Sequence, residues 1–383
     1  MGGGADAGAW TRAVGKAKTS TTGMLAVRSF AAGSAGVLAG RSYIYDNALA
    51  LLWFAWTGDQ QSSRGLANTL LASQDRDGSW GAYLPLDGDD CYNNVYVRTG
   101  IVSWAAYALA YYANKYAGRT AMEGAQRAAG YLERAVAVDV GKETLGLLTG
   151  GRGRWTARER FDGAHRMNSA VTEHQLDAQV ALESLGRPMA GKLAHRIMSQ
   201  LWLEKEGRFA LAAHPERVDR RRALDAAGAW GALWLLQRGD RARARRSLDY
   251  ALLNFATQDR SLRGFRPYLD PVEGPESVEP DDLIFVEGTL GVGLAAHRLG
   301  EPSVAREALG LAAQLSCSAG GGLPYANVEA AGFSTQPGAA STLWFLLLER
   351  EMRTGIPSPL FHKSPVAGAG RERGENINIR GDA

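Results

Sequence analysis

The chain has little with which to staple itself, cross a membrane or bind by charge. Two cysteines, Cys91 and Cys317, stand among 383 residues. They make no disulfide framework and no metal-ligand spacing, and they suit a reducing compartment. No apolar run reaches the roughly 18 to 20 residues of a membrane span. The formal charge of +3 is close to neutral at this length, which removes the basic footprint of a nucleic-acid binder. Basic clusters at Arg220-Arg221-Arg222 and from Arg241 to Arg246 read as solvated helix faces. The start of the chain lacks the strong apolar centre of a secretory signal. Residues 1–41 therefore read as a loose arm ending in a partial helix, which favours a cytoplasmic location. The tail 363–383, rich in Gly, Arg, Glu and Asn, is expected to be disordered. No cofactor, metal or nucleic-acid partner is expected, and a monomer is.

What the chain does have is a repeating turn. Glycine follows an apolar helical run at Gly58, Gly118, Gly186, Gly239, Gly300 and Gly355, at intervals of 60, 68, 53, 61 and 55 residues. Glycine just past a helix is the usual C-terminal cap, because it tolerates positive φ. The runs it closes are 48–56, 101–113, 176–185, 226–236, 290–299 and 339–348. They are apolar on too much of their circumference to lie on a surface. A period of this size marks one supersecondary unit used repeatedly. Length alone would allow two or three domains, but an unbroken ring of repeats spanning 42–362 argues for one.

Each unit carries a second, amphipathic helix rich in Ala and Arg: 63–74, 121–136, 190–203, 242–255 and 303–315. Six inner and five outer helices predict an all-α fold, an (α/α)6 toroid, with residues 23–39 supplying the sixth outer helix. The turns from inner to outer helix are short. The returns are long, and each sets glycine beside an aromatic, as in Gly78-Ser79-Trp80 and Gly322-Leu323-Pro324-Tyr325. Long loops on one face of a rigid scaffold are where function sits. The inner helices also start on that face, offering free N–H groups and the positive ends of their dipoles.

Reading those starts gives a polar constellation. Tyr45-Asp46-Asn47 opens the first, Arg98-Thr99-Gly100 the second and Thr172-Glu173-His174 the third. Asp225 opens the fourth, Glu287-Gly288-Thr289 the fifth and Thr335-Gln336-Pro337 the sixth. Acids and hydroxyls at a helix start are ordinary caps. Asp177 lies one turn beyond Glu173 on the same face, where capping explains it poorly. Arg98 opposes the dipole and is expected to pair with a carboxylate across the mouth or with an anionic substrate group. His174 should point away from Glu173 as a buried, satisfied histidine.

The stretches Tyr45-Asp46-Asn47-Ala48-Leu49-Ala50, Arg98-Thr99-Gly100, Thr172-Glu173-His174 and Glu287-Gly288-Thr289 resemble the six-hairpin glycosidase superfamily, over about residues 42–350. That resemblance implies the toroid and carbohydrate-directed chemistry, although the superfamily includes hydrolases, lyases and epimerases. Glycoside hydrolysis needs one protonated and one ionised carboxyl group. Glu173 is the first candidate for the acid, with Asp46, Asp225 or Glu287 as partner. Arg98, His174 and Asp177 are candidate substrate contacts. Trp80, Tyr83, Tyr92 and Trp155 would stack on sugar faces, or else pack the loops onto the barrel rim.

A second resemblance competes. Gln74-Asp75-Arg76-Asp77-Gly78-Ser79-Trp80 is similar to the Gln-Trp repeat of class II terpene cyclases, and Asp87-Gly88-Asp89-Asp90 to their Asp-x-Asp-Asp acid. It implies that Asp89 protonates an alkene, tuned by Asp87 and Asp90. Trp53, Trp56, Trp104 and Tyr107 would then stabilise carbocations. Against it stand the shortness of the motif and the single convincing repeat. A third reading is a glycan- or peptide-binding toroid without catalysis.

Overall fold

A computed structural model describes residues 23–31, 38, 40–86, 96–135, 146–155, 161–270, 281–318, 322–330 and 332–362. Six inner positions are filled by α1 (Ile44–Thr57), α3 (Thr99–Tyr116), α5 (Thr172–Ser184), the pair α7 (Leu224–Ala227) and α8 (Ala229–Gln237), α10 (Val286–Leu299) and α12 (Ala339–Thr354). They pack in sequence, and α12 returns to α1, so the ring closes. Outside it lie α2 (Gln60–Ala72), α4 (Arg119–Arg134), α6 (Met189–Gln200), α9 (Arg241–Asn254) and α11 (Pro302–Ser318), each against its inner partner. The fold is the (α/α)6 toroid.

The two helix classes follow from composition. Ten of the 14 residues of α1 are buried, against six of the 13 of α2. An apolar circumference must be covered by protein on all sides, whereas an Ala/Arg helix buries only a stripe. Glycine ends α1, α10 and α12 in the left-handed conformation, at φ 89°, 91° and 68°. The second turn differs: Ala117 takes the left-handed position at φ 53°, one residue before Gly118. The fourth inner helix is not the continuous run expected. It breaks at Gly228, where a Cβ would lie 2.2 Å from that of Ala251, so α9 approaches the inner backbone itself.

One end of the barrel is sealed by the segment after α12. The Tyr107 hydroxyl donates to the Pro359 carbonyl at 2.6 Å, and Phe361 packs edge-on against Trp104. Arg298 pairs with the buried Glu351 at 2.8 Å and donates to the Leu360 carbonyl. Trp53 and Trp56 sit toward this end, at the last turns of α1, with the Arg350 guanidinium over Trp56.

The other end carries the returns, whose described residues fold as short antiparallel strands, the longest of them seven residues, Phe161–Met167. A sixfold rule organises them. The residue before each inner helix pairs with the following return: Tyr43 with Tyr83, Arg98 with Gly151, Val171 with Ala212, Ala223 with Tyr268 and Phe285 with Ala326. The sixth pairing is Gly338 with Phe30. The arm is therefore the sixth return, supplied from the opposite end of the chain. The expected outer helix over 23–39 is not found in its described part, 23–31, which is extended. Its backbone is committed elsewhere: Leu25 N–H donates to Gly65, Val27 N–H to Asn47 Oδ1, and Leu25 C=O accepts from Thr69. The tail 363–383 lies outside the described residues.

Candidate active site

The strands feed the inner helices without side-chain caps. Tyr43, Arg98, Val171, Ala223, Phe285 and Gly338 are all extended N-caps that make no side-chain cap bond. The first N–H of each helix donates instead to a main-chain carbonyl of the next return: Ile44 to Ala82, Thr99 to Gly150, Thr172 to Leu211, Leu224 to Pro267, Val286 to Tyr325 and Ala339 to Ser29. Backbone does the work expected of Asp, Glu and Thr, which leaves those acids free to face elsewhere.

They face one cavity of about 750 Å³ in the mouth. The second residue of every inner helix lines it: Tyr45, Gly100, Glu173, Asp225, Glu287 and Ala340. Three carboxyl groups thus hold the same repeat position on successive helices. Asp46 and His174 add the third position of theirs, and Asp177 joins from the next turn below Glu173. The sixth inner helix starts at Ala339, so Thr335-Gln336-Pro337 belongs to its return and not to the helix. Aromatic walls come from Trp104, Trp230, Tyr325 and Phe333; Tyr325 and Phe333 stack with centroids 5.4 Å apart.

Burial raises every carboxyl group of the cluster, because charge loses its hydration there. Asp46 rises to about 7, partly offset by a Ser29 hydrogen bond. Glu173 rises to about 7 through burial. Glu287 rises to about 8 through burial, opposed by its bond from Tyr45 and reinforced by Asp46 and Glu173. Asp177 and Asp225 are pushed well above the usual carboxylate range by burial and then by the charge of Glu173. The cluster holds protons jointly and sheds them stepwise.

The orientations differ. Trp344 donates to the Tyr45 hydroxyl at 2.9 Å, and Tyr45 donates to Glu287 Oε1 at 2.5 Å, which fixes Glu287. Asp225 leaves Oδ1 without a partner, and the Asp177 carboxyl has the Trp104 indole as its hydrogen-bonding neighbour. His174 does not point away: it lines the cavity with Nδ1 unpartnered, and burial lowers it to about 4, so it stays neutral. Gly100 makes room for these groups. A Cβ there would lie 2.5 Å from His174 Cδ2 and 3.1 Å from Asp177 Oδ2.

Several expected contacts lie elsewhere. Arg98 does not pair with a carboxylate among the described residues. Its guanidinium donates to the Val97, Arg152 and Gly153 carbonyls and stacks on Tyr96, tying the return hairpin to α3. Trp80 is fully buried, and its indole donates to the Leu70 carbonyl at 2.7 Å. It cannot stack on a sugar. The Gln-Trp segment is a clamp: Gln74 donates to Gly78 and Gly124 and accepts from Arg127, locking α2 to α4. Tyr83 is also buried, against Tyr43 and beneath the Arg41 guanidinium, outside the cavity lining. Trp155 ends the strand Gly151–Trp155 opposite Phe161. Its side chain, with Tyr92, Asp87, Asp89 and Asp90, lies outside the described residues.

Sequence reasoning missed Tyr45 as a site residue, although it reads directly beside Asp46. The signal lay in the alignment of repeats: counted from each helix start, Tyr45, Glu173, Asp225 and Glu287 are one position. Tyr325 and Phe333 carried no signal beyond the glycine-aromatic pattern of the returns.

No protein-family model matches the chain, and no curated protein matches it in sequence. Solved structures do match its fold. A D-mannose isomerase superposes with a TM-score of 0.64 at 12% identity, covering 92% of this chain and 97% of that one. A GH76 α-mannanase from Bacteroides thetaiotaomicron gives 0.60 at 10% identity, covering 91% and 96%. An unsaturated glucuronyl hydrolase from Bacillus sp. GL1 gives 0.55 at 13% identity, covering 84% and 88%. The shared feature is the (α/α)6 toroid, found in structures described as glycosidases, a D-mannose isomerase and a sugar epimerase.

Proposed function

We propose that this protein is an enzyme acting on a carbohydrate, with glycoside hydrolysis by carboxylic acid/base chemistry as its reaction. One observation carries the reading. Glu173, Asp225 and Glu287 hold equivalent places around one aromatic-lined cavity, with burial raising all three above the usual carboxylate range. Hydrolysis needs a carboxylic acid and a carboxylate at the same time. A cluster whose members repel one another's ionisation supplies both, because it cannot lose all its protons together. Glu173 gives its proton to the glycosidic oxygen as the bond to the ring carbon breaks. Water adds its hydroxyl to that carbon and yields its proton to an ionised partner; of the candidates Asp46, Asp225 and Glu287, Asp46 at about 7 ionises ahead of Glu287 at about 8 and of Asp225, which burial raises further. Trp104, Trp230 and Tyr325 offer faces to the sugar ring.

A second reading is supported by His174. A neutral imidazole with a free nitrogen in the same cavity suits proton abstraction beside a carbonyl, as in aldose–ketose interconversion. The terpene-cyclase alternative keeps only Asp89, because the Gln74–Trp80 segment serves as a helix clamp. A glycan-binding toroid without catalysis remains the non-enzymatic alternative.

The deciding experiment incubates the wild type, Glu173→Gln and His174→Asn with a panel of oligosaccharides and free aldoses. New reducing ends and ketose formation are followed separately. Hydrolysis predicts release of reducing ends, lost by a factor of about 10² or more in Glu173→Gln while the circular dichroism is unchanged. Ketose formation that disappears in His174→Asn would move the assignment to the second reading. No turnover on either panel would overturn both.

A further inference from the structure

Among the described residues the buried tryptophans are Trp80, Trp104, Trp202, Trp230, Trp234 and Trp344. An indole carries one donor and no acceptor, and burial obliges that donor to find a partner. Trp80 donates to the Leu70 carbonyl at 2.7 Å, Trp202 to Glu204 at 2.6 Å, Trp234 to Gln179 at 2.8 Å and Trp344 to the Tyr45 hydroxyl at 2.9 Å. Trp104 has the Asp177 carboxyl as its hydrogen-bonding neighbour. Trp230 differs. It is 2% exposed, it lines the mouth cavity, and its Nε1 has no partner among the described residues. The ring is held from two sides. Trp344 packs on it with centroids 4.6 Å apart. Gly291, one turn below Glu287 on the same face of α10, makes room for its benzene edge. A Cβ there would lie 3.0 Å from Trp230 Cζ3 and 3.5 Å from Cε3. Nε1 is on the opposite long edge of the indole and so points away from α10. Ser341 shares this wall: it is third in α12, the place Asp46 and His174 hold in theirs, and one turn above Trp344. It also lines the cavity, 1% exposed and with Oγ unpartnered among the described residues. Buried polar groups go without protein partners where a ligand or ordered water meets them. Neither group titrates near neutral pH, so what they offer is independent of the protons on the carboxyl cluster.

We propose that Trp230 and Ser341 form a subsite that reads one edge of the substrate, the indole N–H donating to a sugar hydroxyl oxygen and the Ser341 hydroxyl bonding the hydroxyl beside it. Trp230 then acts through its nitrogen edge as well as its ring face, and it determines specificity. A sugar that lacks the hydroxyl leaves a buried donor unmet, which costs affinity beyond the lost bond. The contact also has a direction. The indole cannot accept, so the ligand atom must; fluorine at that carbon keeps part of the contact, and hydrogen keeps none of it. This rests on the carbohydrate reading above and names the residues that choose among sugars within it.

The test is a double-mutant cycle between protein and ligand, by calorimetry at pH 7. Wild type, Trp230→Phe and Ser341→Ala are titrated with glucose, mannose and galactose, and then with the monodeoxy and monodeoxyfluoro forms of whichever binds. Trp230→Phe keeps an aromatic ring against Trp344 and removes the N–H. Its affinity for the parent sugar should fall about three- to tenfold. For one deoxy form it should match the wild type, and in the wild type the fluoro form at that carbon should bind between parent and deoxy. Ser341→Ala should show the same pattern at a neighbouring carbon. In the wild type, the indole N–H resonance that Trp230→Phe lacks should move downfield as sugar saturates the site. Melting temperatures are the folding control; should Trp230→Phe melt early, the Ser341→Ala cycle and the wild-type fluoro series decide. Losses equal for the parent and every deoxy form, or no loss in either variant, would overturn the subsite and leave the carbohydrate reading standing. Binding of no sugar at all would overturn both.

Discussion

Replacing Glu287 by glutamine perturbs the cluster with the least disturbance of shape. The amide is isosteric, and its carbonyl oxygen still accepts the Tyr45 hydroxyl. In the folded protein Glu287 titrates at about 8, against an ordinary value of 4.5, with burial as the main cause. Its folded pKa is thus raised above its unfolded one. The folded state keeps a proton that the unfolded chain releases, so stability is full below about pH 4.5 and is lost as pH rises through 8. A gap of about 3.5 units at 1.36 kcal/mol each sets a ceiling of about 5 kcal/mol. At pH 5 the same term is below about 1 kcal/mol. Protons shared with Asp46 and Glu173 reduce what one substitution can recover, to about 2–4 kcal/mol at pH 9. For a chain of this size that is an increase in melting temperature of about 3–6 °C. Thermal unfolding of wild type and Glu287→Gln at pH 5, 7 and 9 measures it. The two should melt together at pH 5 and separate progressively above it. Parallel curves across the range, or a variant that melts lower at pH 9, would refute the buried-carboxyl account of the site.

Three further substitutions separate scaffold from site. Trp80→Ala should cost about 3–5 kcal/mol in chemical denaturation while leaving sugar affinity unchanged, since the ring is buried on Leu70 and away from the cavity. Gly100→Ala should keep the fold and weaken ligand binding about tenfold or more in calorimetry, because its Cβ intrudes on His174 and Asp177. Arg298→Ala leaves Glu351 buried without its countercharge, holding only the Ser358 N–H, and frees the carbonyls of Ser358 and Leu360. It should cost about 3–5 kcal/mol and open the segment 355–362 to limited proteolysis before the rest of the chain.

The sequence by itself determined the toroid. Apolar runs that no surface could carry, each closed by glycine and followed by an Ala/Arg helix, leave few architectures besides a ring of hairpins. It also put Glu173, Asp225 and Glu287 at inner-helix starts on the face that carries the long returns, where the structure gathers them around one cavity. Local composition encodes such things, because propensity, capping and amphipathicity act within a few residues. What only the tertiary structure decided involves pairs distant in sequence. The arm over 23–31 could not be told from a helix until Gly65, Asn47 and Gly338 claimed its backbone as the sixth return. Trp80 and Tyr83 look like sugar platforms until Leu70 and Arg41 are seen to hold them. Arg98 looks like a substrate anchor until three carbonyls take it. Acids at helix starts read as caps, and it was the carbonyls of neighbouring returns that released them. Burial then raised their pKa values, and burial belongs to the closed ring and to no single segment of it.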